Sequence, residues 1–81
     1  MNSLQKLLDF LSRLDAASIH FDLARHRDEA IMVLIAVPGE RWEAEFFADG
    51  HVEVEVFRNA GANTELQGED ALEQLFRDHT D

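Results

Sequence analysis

Four glutamates, Glu43, Glu45, Glu53 and Glu55, alternate with apolar residues in two neighbouring segments. A spacing of two places each pair on one side of an extended chain. Carboxylates in that arrangement can do acid/base work, share a divalent metal with imidazoles, or offer negative charge to a basic partner. Acid/base work needs perturbed pKa values inside a cleft, and an open strand face of an 81-residue domain has little with which to desolvate them. Imidazole comes from His20, His26, His51 and His79. His20 and Asp22 project from the same side of a strand, and with the glutamates they are the nearest approach to a metal site. No HExxH-type spacing accompanies them, so solvated histidines are the expectation, with no metal and no cofactor. Ser3, Ser12, Ser18, Thr64 and Thr80 lie in no G-x-S-x-G elbow. The glycines at 39, 50, 61 and 68 are dispersed at turns, unlike a phosphate loop. The absence of Cys removes disulfides, thiolate zinc sites and a Cys nucleophile, and leaves the redox compartment open. No residue is assigned a catalytic role, and the chain is expected not to be an enzyme.

Charge sharpens the third option. Seven Lys+Arg stand against 17 Asp+Glu, a formal net of −10. That balance excludes non-specific nucleic-acid binding, which needs clustered cations, and disfavours docking on anionic membranes. Residues 1–27 carry four cations and three acids, a net of +1, whereas residues 28–81 carry three cations and 14 acids, a net of −11. Crowding of like charge destabilises a compact state. Solubility is one reason to tolerate it, and a basic partner is another.

Periodicity supplies the helices and strands that carry these residues. Leu4, Leu7, Leu8, Leu11 and Leu14 recur at helical spacing, which predicts a helix over 4–16 with Ser3 as its N-cap. From Ile19 the period is two, through Phe21 and Leu23, as in a strand, and Arg27-Asp28-Glu29 reads as a polar turn. Residues 30–37 (AIMVLIAV) read as a central strand apolar on both faces, followed by a Pro38-Gly39 turn. Strands over 41–47 and 51–57, a loop from Asn59 to Gln67 and a helix over roughly 69–78 complete the chain. The expected fold is α+β: one domain over residues 1–81, a four-stranded antiparallel meander with an N-terminal and a C-terminal helix, both packed most simply on one face. No signal peptide or membrane-length apolar run is recognised, and a cytoplasmic protein is expected.

Register decides what the other face carries, because a slip of one residue inverts every side chain. A two-residue Asp49-Gly50 loop would set Phe46 opposite Glu53 and mix core with solvent positions. A three-residue loop, Ala48-Asp49-Gly50 with Gly50 left-handed, pairs Phe46 with Val52, Ala44 with Val54 and Trp42 with Val56. It is the consistent choice, and it makes Trp42 a core residue. The same choice sets Glu45 opposite Glu53 and Glu43 opposite Glu55, each pair destabilising by about 0.2–1 kcal/mol. Phe47, Phe57, Met32 and Leu34 share this outer face, and Asp22 lies on it in the first strand. An apolar strip rimmed by charge has the make-up of a protein-binding surface. An ordinary solvated face, self-association as a homodimer through this face, or a helix on each face burying Met32 and Leu34 are the alternatives.

The stretch PGERWEAEFFADGHVEVEVF (38–57), with the short ALEQLF helix (71–76) after it, resembles small acidic bacterial immunity proteins of polymorphic and contact-dependent toxin systems. The resemblance implies stoichiometric binding of a basic toxin domain, with acidic residues standing in for nucleic-acid phosphates or blocking a catalytic cleft. It assigns no individual contact residue.

Overall fold

The computed structural model describes residues 2–58 and 64–79. Among them, helix α1 (Ser3–Ala16) is followed by strands β1 (Phe21–Arg27), β2 (Ala30–Val37), β3 (Glu40–Phe47), β4 (Val52–Arg58) and β5 (Thr64–Gln67), then helix α2 (Ala71–His79). The strands form one antiparallel sheet in chain order, so the fold is the α+β meander expected, extended by one strand. That strand corrects the expected loop over its last four residues; the loop's earlier part, Asn59 to Asn63 with Gly61, lies outside the described residues. No described helix is long and apolar enough to cross a membrane.

Several boundaries differ from expectation for local reasons. Asn2, not Ser3, caps α1: its side chain accepts the backbone N–H of Gln5 at 2.7 Å, satisfying a donor that the helix itself cannot. At the other end Ser18 takes φ 58, and the N–H of Ile19 returns to the carbonyl of Leu14. Ile19 is thereby tucked into the core ahead of β1 instead of opening the strand. Arg27 belongs to β1 and pairs with Ala30, leaving the turn to Asp28 and Glu29.

Both turns that fix register match the expected geometry. Val37 pairs with Glu40 across Pro38 and Gly39, the latter at φ 79. Ile35 therefore meets Trp42, Val33 meets Ala44 and Ile31 meets Phe46. At the next hairpin the N–H of Phe47 donates to His51 and that of Gly50 to Phe47, enclosing Ala48-Asp49-Gly50 with Gly50 at φ 97. Phe46 then faces Val52, Ala44 faces Val54 and Trp42 faces Val56.

This inner face carries the core. Leu7, Phe10 and Leu14 of α1 and Leu72, Leu75 and Phe76 of α2 pack with Val33, Ile35, Trp42, Ala44, Phe46, Val52, Val54 and Val56 in one cluster, so both helices cover the same side. Phe10 sits between them and the sheet, 5.2 Å from the Phe46 ring and edge-on to Phe76 at 5.8 Å. Each such aromatic contributes about 1.5–3 kcal/mol through burial. Polar clamps bind the helices at the rim. Arg13 donates two hydrogen bonds to Glu73, at 2.8 and 3.2 Å, while its guanidinium lies 4.0 Å from the Phe76 ring. Lys6 reaches Glu69 at 3.0 Å and the Gly50 carbonyl at 2.8 Å.

A second clamp anchors α2 at the start of β3. Glu40 accepts from the indole N–H of Trp42 and from Arg58 Nε, both at 3.0 Å, and lies 3.3 Å from His79 Nε2. Burial alone would raise the Glu40 pKa, but the donors from Trp42, His79 and Arg58 outweigh it and hold the carboxyl below its ordinary range. Trp42, 2% exposed, owes its satisfied indole to this carboxylate.

The turn and the clamp can each be tested by substitution. Gly50→Ala meets no steric obstacle, so its cost is conformational, and urea unfolding is expected to show a loss of about 1–3 kcal/mol. Glu40→Gln is expected to cost about 1–2 kcal/mol at pH 7. Because the folded-state pKa is lowered, the carboxylate's contribution is present above the ordinary glutamate pKa and lost as pH falls through the lowered value. Urea unfolding followed by Trp42 fluorescence should therefore show the gap between wild type and variant closing in acid.

Candidate functional site

The register assembles an outer face on which neither α1 nor α2 packs. Across β1 to β4, one row reads Asp22, Leu34, Glu43 and Glu55; the next reads Ala24, Met32, Glu45 and Glu53. The expected opposition of Glu43 with Glu55 and Glu45 with Glu53 is present. Met32 and Leu34 are half-buried beside the glutamates, so the arrangement with a helix on each face does not occur. Asp22 is exposed, with His20 Nε2 3.5 Å from its carboxylate.

Two arginines bracket the ladder, one at each end. Arg41 lies 3.7 Å from Glu43 and 4.4 Å from the ring of Phe57, which neighbours it across the hairpin. Arg27 arrives by a bulge: between Ala24 and Arg27 the register with β2 shifts by one residue. Regular alternation from Asp22 and Ala24 would send Arg27 to the inner face. The extra residue turns it outward, to 3.8 Å from Glu45 and 5.5 Å from the Phe47 ring.

Phe47 is placed differently from the contact residue the sequence predicts. It is only 6% exposed, covered by the His51 ring stacked at 4.1 Å and by Arg27. The His51 imidazole is bonded to Asp49 and lies 3.4 Å from Glu53; Asp49 first, then Glu53, holds its pKa above the ordinary value. Asp49 in turn accepts the His51 backbone N–H at 3.0 Å and then the ring, and its own pKa is lowered. Protonated His51 offsets part of the charge of Glu53. Glu55 has no ion-pair partner among the described residues.

Glu45 is the unusual member. It is the buried charged residue among those described, at 6% exposed, and its Oε2 has no hydrogen bond. The Arg27 Nε to this oxygen, at 3.8 Å, is too far to donate. The described residues contain no group of three His, Asp or Glu side chains placed to hold a metal ion.

Sequence reasoning located the four glutamates, Met32, Leu34 and Phe57 on this face. It left out Arg41, whose parity with Glu43 and Glu45 was available as a signal. It also left out Arg27, whose parity pointed the wrong way without the bulge. Comparison with protein families, with curated proteins and with solved structures finds no match to the chain.

The Arg27–Glu45 relation makes an asymmetric prediction. Arg27→Ala leaves a buried carboxylate without its cation and is expected to lower stability by about 1–3 kcal/mol. Glu45→Gln keeps the side-chain shape, removes a charge from the ladder, and is expected to leave stability unchanged or raise it by up to about 1 kcal/mol. Chemical denaturation of both variants and their double mutant checks this; a larger loss for Glu45→Gln would overturn it.

Proposed function

We propose that the protein is a non-enzymatic binding protein that presents its outer sheet face to a basic protein partner. The supporting observation is the two pairs of directly opposed glutamates, Glu43 with Glu55 and Glu45 with Glu53, on a face that neither helix covers. The core on the other face is complete without these residues, so the repulsion adds nothing to folding. A cationic partner converts the same repulsion into attraction, raising the association rate and fixing orientation. Glu43, Glu45, Glu53 and Glu55 supply the charge; Met32, Leu34 and Phe57 supply apolar area between and beside them. Phe47 contributes as the support beneath Arg27 and His51. Asp22 extends the acidic rim on β1. Two copies of this face repel one another, which disfavours a homodimer built through it.

Partner chemistry of this kind fits an immunity protein that neutralises a basic toxin domain in the cytoplasm, the class that the 38–57 stretch resembles. The test takes the reading frame immediately upstream of this one, which the proposal expects to end in a short basic domain, and measures association with that domain. A variant carrying Glu43→Lys, Glu53→Lys and Glu55→Lys with Glu45→Gln should associate about tenfold or more slowly at low salt, with the difference shrinking as salt rises. An unchanged on-rate in a variant of native far-ultraviolet circular dichroism would overturn the proposal.

A further inference from the structure

We infer that the depression between the opposed glutamates is a socket for one arginine side chain of the partner. This rests on the reading of the outer face as a partner surface and narrows it to a single residue type. The depression, about 370 Å³, is lined by Arg27, Met32, Glu43, Glu45, Glu53 and Glu55. Its distinguishing feature is the Glu45 carboxylate, which is more than nine-tenths buried while Oε2 lacks any donor. A buried acceptor without a hydrogen bond is a standing cost, relieved by whatever cation brings a donor to it. Arg27 does not relieve it: its guanidinium lies toward Phe47, and its Nε stops at 3.8 Å.

The spacing of the carboxylates selects the cation. A divalent metal needs three or more ligands converging on one point, and no such trio occurs among the described residues. Residues facing each other across strands hold their Cβ atoms about 4.5–5.5 Å apart, with diagonal neighbours farther still. A planar guanidinium with five outward donors can bridge carboxylates so separated, whereas an ammonium is a compact and strongly hydrated point charge. Half-buried Met32 gives the aliphatic stem of an incoming arginine an apolar surface to lie on.

The experiment needs no partner. The full-length protein, labelled with nitrogen-15, is titrated at low salt with N-acetyl-arginine amide, and separately with N-acetyl-lysine amide and with magnesium, calcium and zinc chlorides. The socket requires saturable shifts centred on the amides of Met32, Glu45 and Glu53, with arginine bound about fivefold or more tightly than lysine. Glu45→Gln, checked for native far-ultraviolet circular dichroism, should weaken the arginine titration by a similar factor. Equal shifts for the two amides scattered over all the acids, saturation by a divalent metal that arginine displaces, or an unaltered Glu45→Gln titration would each overturn the socket. If charge reversal slows the basic partner while the arginine titration shows no selectivity, the socket fails and the face remains. If neither responds, both fail.

Discussion

A left-handed residue at Gly50 is the constraint on which the arrangement depends. It lets the chain reverse over Ala48-Asp49-Gly50, and an odd-numbered connection is what brings Phe46 opposite Val52. Strand side chains have a period of two, so no intermediate register exists. The choice that unites Trp42, Ala44 and Phe46 with three valines on one face delivers four glutamates in opposed pairs to the other. The core and the charge ladder are therefore two faces of a single decision, and the hydrophobic gain on the inner face far exceeds the cost of two like-charge pairs outside.

The few cations are distributed in a way that preserves this contrast. Lys6 and Arg13 reach Glu69 and Glu73, which lie in the acidic remainder of the sequence, and Arg58 serves Glu40 beneath the end of α2. The first two hold the helices to each other, and the third fixes the Glu40 carboxylate against which His79 of α2 docks. Only Arg27 and Arg41 turn to the outer face, and each is placed at an end of the ladder against an aromatic ring. Of the four cations in the first 27 residues, Lys6 and Arg13 are thus used in closing the fold. Bulk charge has become a division of labour, with Glu69, Glu73 and Glu40 tying the helices down and four glutamates opposed in pairs across the middle of the open sheet.

The parts readable from sequence were those in which periodicity and turn chemistry agreed. The Pro38-Gly39 and Ala48–Gly50 turns fixed two registers without ambiguity, because any other pairing mixed Phe or Trp with Glu. Strand β5 was hidden because TELQ is short, polar and preceded by Asn and Gly, and its pairing with β4 rests on backbone bonds that leave no apolar pattern. The bulge before Arg27 was equally silent: an extra residue in FDLARHR changes no composition, only the face to which the later side chains point. Burial of Phe47 depended on both that bulge and the stacking of His51, neither of which a single strand's pattern contains. The site was legible as a set of charges; its one buried, donorless carboxylate was not.

The bulge in β1 also limits the ways in which another chain can approach. β1 is an outer strand of the sheet, and the displaced residues between Ala24 and Arg27 break the evenly spaced row of backbone donors and acceptors that an incoming strand would need. At the opposite margin β5 is only four residues long. With both margins blunted against strand addition, the recognition proposed above would run through side chains on the broad face, where exchanging one glutamate changes the charge pattern without altering how the backbone is paired. On the proposed reading, point substitutions on that face would change which partner fits while the scaffold stays fixed.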